Sequence, residues 1–158
     1  LSPHFSYDEV FGTVLNRFIV QAIKGIPLTV YGRGGQTRGY LNIRDTMQCI
    51  RLVADQPVEQ GELRIMNQFV ETFSVNDLAD RVREAGAAMG INVEVQNVEN
   101  PRKELEEHYY NPAHTWLLDI GLQPHLLTEE AVCGMLELVK AYEANIDERK
   151  VLMNVQWA

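Results

Sequence analysis

Two arginines, Arg38 and Arg102, carry the most direct chemistry in the chain, because a planar guanidinium can hold a phosphate through two parallel hydrogen bonds. Arg38 lies in the run Gly32-Arg33-Gly34-Gly35-Gln36-Thr37-Arg38-Gly39-Tyr40. Glycine has no Cβ, so its backbone can approach a ligand closely. Arg38 and Tyr40 stand two residues apart on an expected extended segment and therefore share a face. A cation and an aromatic ring on one face suit a phosphate and a ring of one ligand. A hairpin that simply exposes its charge fits the same spacing. Arg102 lies in Asn100-Pro101-Arg102-Lys103-Glu104-Leu105-Glu106-Glu107-His108, which reads equally as a solvated charge run or as a second anion contact. Two arginines from distant loops would neutralise a diphosphate, each charge-assisted bond contributing about 1.5–3 kcal/mol.

Other reaction classes lack their residues. The run from Gly32 is not a dinucleotide fingerprint, since Thr37 stands where the third glycine belongs. His4, His108, His114 and His125 show no metal-ligand spacing and read as structural or surface residues. Glu106 and Glu107 are adjacent and point apart, which makes a poor acid/base pair. No GxSxG nucleophile elbow is present. The residues four before Lys24, Lys103, Lys140 and Lys150 are Val20, Glu99, Leu136 and Ile146, so no Tyr-x-x-x-Lys pair exists. No catalytic residue, metal ligand or cofactor ligand is therefore assigned from the sequence. Trp116, beside Leu117, reads as core packing; Trp157 reads as a docking anchor or as a residue with no role.

The positioning elements follow from periodicity and punctuation. Residues 1–8 read as an irregular lead-in. Paired apolar positions recurring every four residues predict a helix over 9–24, ended by Gly25. A strand follows at 27–32, and an extended segment at about 37–44. Asp45 is expected to begin a helix over 46–55, forming a capping-box variant with Gln48. Strands are expected at 63–69 and 92–98, separated by a helix over 75–89 with Ser74 as cap and Asp77 at the capping-box position. Residues 99–108 read as loop and 112–120 as a short helix stopped by Gly121. Thr128 caps a final helix of about 129–146, and 151–158 form an unclassified tail. Alternating helices and strands indicate an α/β or mixed α+β fold. About four strands are too few for a complete doubly wound domain, so the chain reads as one partial domain over 1–158 that shares a larger sheet.

At 158 residues the chain is one domain or a piece of a larger one. Its 46% hydrophobic and 23% charged content excludes a wholly disordered chain. The apolar runs are too short to span a membrane. Fourteen basic against 22 acidic residues give a net charge of −8, which argues against non-specific nucleic-acid binding. Cys49 and Cys133 are far apart in apolar helical surroundings, and read as buried thiols in a reducing, cytoplasmic setting.

The stretches GGQTRGYLNIRD, IMNQF, FSVNDLA, NPRKELEEHYYNPAHT and IGLQPH together resemble the carboxy-terminal half of the UDP-sulfoquinovose synthases. These are extended short-chain dehydrogenase/reductases of the NAD-dependent epimerase/dehydratase family. The resemblance spans almost the whole chain. It implies a UDP-sugar-binding lobe together with the last elements of a Rossmann sheet, with Leu63–Asn67 as one late strand. By resemblance, Arg38 and Arg102 would hold the diphosphate and Tyr40 the ribose. The strand Thr29-Val30-Tyr31 would offer backbone groups to uracil, and Leu15 would pack near it. Asp45 would be a structural cap. The family's Gly-rich NAD loop, catalytic Tyr and Lys, and helper Thr have no match here. NAD is therefore expected in the full-length family but not on this chain alone, which is not expected to turn over by itself. The implied partners are a UDP-sugar and either a complementary NAD-binding half or a second copy of the chain. A non-catalytic truncated remnant that self-associates through the face that would contact the missing Rossmann lobe is the alternative reading.

Overall fold

The computed structural model describes residues 5–8, 12–99 and 115–151. In chain order the elements are α1 (Val14–Ile23), β1 (Leu28–Tyr31), β2 (Thr37–Tyr40), α2 (Ile43–Ala54), β3 (Glu71–Ser74), α3 (Val75–Ala88), β4 (Val95–Val98), α4 (Trp116–Asp119) and α5 (Glu129–Ala141), followed by two short 3-10 turns. They divide between two compact units. The first comprises residues up to 36, 74–107 and 128–158; the second comprises 37–73 and 108–127.

In the first unit, β1 and β4 pair in parallel, with Leu28 opposite Val95 and Tyr31 opposite Val98. Helices α1, α3 and α5 pack on one another, and α1 and α3 also pack on β1. Phe18, Ile19, Leu28, Val30, Leu78, Val82, Val132 and Leu136 are fully buried there. Each such side chain contributes about 1.5–3 kcal/mol by leaving water. Gly86 allows α3 a close approach, since a Cβ there would lie 2.6 Å from a Val93 methyl. The Thr13 hydroxyl caps α1 by accepting from the Asn16 amide, and Gly25, at φ 65°, turns the chain after it. Thr128 caps α5 in the same way through the Ala131 amide.

Helix α3 carries the expected capping box. The Asp77 amide donates to Ser74 Oγ at 3.1 Å, and the Ser74 amide donates to Asp77 Oδ2 at 2.8 Å. The Ser74 hydroxyl, and then its amide, hold the Asp77 carboxyl below its ordinary value. Ser74→Ala is expected to lower stability by about 1 kcal/mol at neutral pH. Because the folded Asp77 pKa is depressed, this contribution is present above the ordinary aspartate range and is lost as pH falls through the folded value. Urea midpoints should therefore separate the variant from the parent at pH 7 and by less in acid, where only the amide bond to the Ser74 hydroxyl remains. Equal midpoints at pH 7 would remove the box from the stability of α3.

The second unit holds β2 paired with β3, and a small core of Cys49, Leu117 and Leu122 flanked by Leu41, Leu52, Val53, Val70 and Ile120. Burial, reinforced by the Asp45 charge, pushes the Cys49 thiol up, so it stays protonated and unreactive. Cys133, in the first unit, is half-buried.

Several expectations change. Helix α2 begins at Ile43, not after Asp45, and its cap is Asn42, whose side chain accepts from the Arg44 amide. Asp45 sits in the first turn, fully buried, and serves a different purpose described below. The expected strand at 63–69 has no strand structure; β3 forms at Glu71–Ser74 instead. Leu63 and Ile65 are 84% and 81% exposed. A strand exists only with a ladder partner, and none of the described strands forms a ladder with this segment. Trp116 is partly exposed and Leu117 takes the core position. The last helix ends at Ala141 and gives way to 3-10 turns. The loop at 100–108, residues 9–11 and 112–114, and the tail from 152, with Trp157, lie outside the described residues.

Candidate functional site

The outer edge of β1 is the best-defined candidate surface of the first unit. The amides of Leu28 and Gly32 donate to Glu94 and Val98 of the β4 side. Strand parity therefore turns the backbone groups of Thr29 and Tyr31 to the opposite edge. Helix α1 meets that edge with two polar residues one turn apart, Arg17 and Gln21. Gln21, fully buried, accepts from the Thr29 amide at 3.2 Å and donates to the Thr29 hydroxyl at 2.9 Å. Arg17 Nη2 donates to the Thr29 carbonyl at 3.3 Å. Its guanidinium carbon lies 5.2 Å from the Tyr31 ring centroid and 5.7 Å from that of Phe18. Burial lowers the Arg17 pKa from its ordinary value, with Tyr31 acting in the opposite sense. Leu15, on the same helix, is buried. Thr29, Tyr31 and Leu15 thus belong to one unit, and the Thr29 amide, carbonyl and hydroxyl all have partners within it.

The glycine-rich turn after β1 is tied down by side chains. Asn97 donates to the Gly32 carbonyl at 2.8 Å, and Asn76 donates to the Arg33 carbonyl at 2.9 Å. Gly32 and Gly34 have φ of 61° and 71°, a backbone region that favours glycine. A Cβ at Gly34 would collide with the Asn76 side chain. Two of these glycines therefore answer to the turn and to Asn76, whereas nothing crowds Gly35.

In the second unit, Arg38 and Tyr40 share a face of β2. Arg38 is exposed, and its Nη1 donates to the Thr37 carbonyl at 2.8 Å. Tyr40 is half-buried and packs obliquely on Phe73, with centroids 5.7 Å apart and rings inclined by 51°. Burial raises the Tyr40 pKa, while the Arg38 charge acts to lower it. Phe69 lies over Gly39, where a Cβ would meet its ring at 2.6 Å. The face pairs a solvent-facing cation with the hydroxyl-bearing ring of Tyr40, a pair that suits an anionic ligand carrying a polar ring. Arg64, Ile65, Met66 and Trp116 line a shallow depression elsewhere in this unit.

Asp45 organises the same unit. Its Oδ2 accepts from the His125 amide at 2.7 Å, and its Oδ1 faces His125 Nδ1 at 2.6 Å and Gln48 Nε2 at 2.7 Å. Gln48 also donates to the Gln123 carbonyl at 3.0 Å. The expected Asp45–Gln48 pairing is real, but it fastens the 123–125 segment instead of capping a helix.

The remaining predicted site residue, Arg102, lies outside the described residues. Among the described residues no group of three or more His, Cys, Asp or Glu could hold a metal ion, and no helix is long and apolar enough to cross a membrane. Sequence reasoning missed Arg17 and Gln21. Their signal was an i, i+4 polar pair inside an otherwise apolar helix.

No protein-family model matches the chain. It is 52% identical over 157 residues to the chloroplastic UDP-sulfoquinovose synthase of Spinacia oleracea, covering 99% of this chain and 33% of that protein. It is 44% identical over 159 residues to the UDP-sulfoquinovose synthase of Sulfolobus acidocaldarius, covering 99% and 40%. The chain thus spans a third to two fifths of the length of these relatives. Among solved structures, the UDP-N-acetylglucosamine 4-epimerase of Methanobrevibacter ruminantium, in complex with UDP-N-acetylmuramic acid, matches with a TM-score of 0.68 at 16% identity, over 87% of this chain and 42% of that one. The UDP-glucuronic acid 4-epimerase of Bacillus cereus, bound to a fluorinated UDP-sugar and NAD, matches with a TM-score of 0.64 at 16% identity, over 82% and 40%. At that identity the structures establish the fold alone, which this chain shares with about two fifths of each. The chain is thus similar to UDP-sulfoquinovose synthases along nearly its whole length, and shares its fold with part of these two epimerases.

Proposed function

We propose that this chain is the UDP-sugar-binding part of a sulfoquinovose-forming enzyme. The observation that carries the reading is the 52% identity maintained over 157 residues with a UDP-sulfoquinovose synthase. The outer edge of β1, at Thr29 and Tyr31, is assigned to the uracil, with Leu15 packing behind it. Arg38 and Arg102 are assigned to the diphosphate and Tyr40 to the ribose. The arginine chemistry and the shared face of Arg38 and Tyr40 support this assignment. In the complete enzyme the sugar would be oxidised at C4, lose water, accept sulfite and be reduced again. NAD would supply the hydride chemistry, held by a part of the enzyme carrying a Gly-rich loop and a Tyr-x-x-x-Lys pair. The present sequence has neither motif, and on its own this chain binds without turning over. A cytoplasmic location is part of the same proposal, supported by the unpaired thiols.

The test is titration of UDP-glucose, with UDP as control, into the 158-residue chain. Micromolar binding supports the proposal. No binding at millimolar ligand overturns binding by this chain alone.

A second reading, self-association, is favoured by the apolar surface of the second unit. Ile43, Met47 and Ile50 form an exposed stripe on α2 at i, i+4 and i+7, and Leu63 and Ile65 are exposed as well. Light scattering of the purified chain should give the mass of a dimer, and Met47→Asp with Ile65→Asp should restore the monomer. A monodisperse monomer without those changes sinks this reading.

A further inference from the structure

Strand β2 is four residues long and pairs only with β3, so its shape depends on what packs against it. Side chains alternate across a strand, so Arg38 and Tyr40 share one face and Gly39 turns to the other. Both faces meet a phenylalanine from the segment that carries β3. Phe69, 5% exposed, covers Gly39: a Cβ there would lie 2.6 Å from Cγ and 3.0 Å from Cβ of Phe69. Phe73, also buried, packs on the Tyr40 ring with 5.7 Å between centroids. The segment between the two phenylalanines is fastened at two points. The Val70 amide donates to the Tyr40 carbonyl at 3.1 Å, and Glu71 Oε2 accepts from the Leu127 amide at 2.7 Å.

Resting on the proposed placement of the diphosphate at Arg38 and the ribose at Tyr40, we propose that Phe69 and Phe73 are positioning residues that brace β2 and aim both side chains at the ligand. Neither phenylalanine touches the ligand in this scheme. Phe69 fills the space that a side chain at position 39 would need, which lets the strand lie close against the 69–73 segment. The near atoms are the root of the Phe69 side chain, not its tip. An added methyl is therefore accommodated only by moving β2 or the segment that supports it. Arg38 is exposed, so its aim is set by the strand and not by packing around the guanidinium. Phe73 holds the Tyr40 ring at one tilt. A displacement of about 1 Å is enough to spoil a preorganised site.

The experiment is a double-mutant cycle on the 158-residue chain, read by calorimetry with UDP, with a thermal melt of each variant. In the parent, Arg38→Ala should weaken UDP about thirtyfold. Gly39→Ala should weaken UDP about tenfold, and on that background Arg38→Ala should cost only about threefold, because the guanidinium is no longer aimed. Adding Phe69→Ala to Gly39→Ala removes the collision and should return part of the lost affinity. Phe69→Leu and Phe73→Leu keep an apolar side chain and cover the case in which the methyl blocks folding. Each should bring the Arg38→Ala factor below about tenfold. A merely structural role would lower the melting temperature and leave that factor near its parent value in every folded variant, which overturns the inference. A parent that binds no UDP, or whose affinity Arg38→Ala leaves unchanged, overturns the proposed placement and this inference with it. A parent that binds and loses affinity in Arg38→Ala, with the full loss kept in the folded phenylalanine variants, overturns only the brace.

Discussion

Asp45→Ala is expected to destabilise the second unit by about 2–4 kcal/mol, the largest single-residue effect on stability in the described residues outside the apolar cores. The carboxylate is fully buried and takes the His125 amide, His125 Nδ1 and Gln48 Nε2 within 2.6–2.7 Å. Alanine would leave the His125 amide without its acceptor and loosen the 123–125 segment that Gln48 also holds. Asp45→Asn keeps the shape and one acceptor oxygen, so its cost should be smaller. Urea unfolding followed by fluorescence reads the stability, and amide hydrogen exchange at His125 reads the local contact. A variant within about 0.5 kcal/mol of the parent, with a protected His125 amide, would show that this buried carboxylate is not what fastens the segment.

Arg38→Ala should weaken UDP binding by about 2 kcal/mol, about thirtyfold at 25 °C. In the structure the guanidinium is exposed on β2 and bonds to the neighbouring Thr37 carbonyl, so redirecting it to a phosphate costs little. Arg38→Lys should fall between the two, because an ammonium holds a phosphate as a point charge without the fork. Salt should narrow the difference between parent and alanine variant, since an exposed cation is screened. Arg38 is exposed and outside both cores, so a thermal melt should not move. Calorimetry with UDP checks all of this. Unchanged affinity in Arg38→Ala removes the residue from the site.

The sequence by itself determined whatever is completed within a turn or two of chain. Ser74 and Thr128 cap their helices as their spacing implies, because a hydroxyl satisfies an amide only two or three residues away. Gly25 and Gly121 end helices at positive φ for an equally local reason. The pairing of Arg38 and Tyr40 on one face also follows from strand periodicity alone. Tertiary structure decided the rest. Residues 63–69 read as a strand, but a ladder needs a partner strand, and no described strand pairs with them. Asp45 reads as a helix cap until a histidine 80 positions away takes its carboxylate and makes it a buried anchor. Arg17 and Gln21 read as polar breaks in an apolar helix, and become a clamp only once Thr29 is folded against them. In each case the deciding energy is the desolvation of a backbone or polar group. Its partner is chosen by the fold, and local sequence carries no record of it.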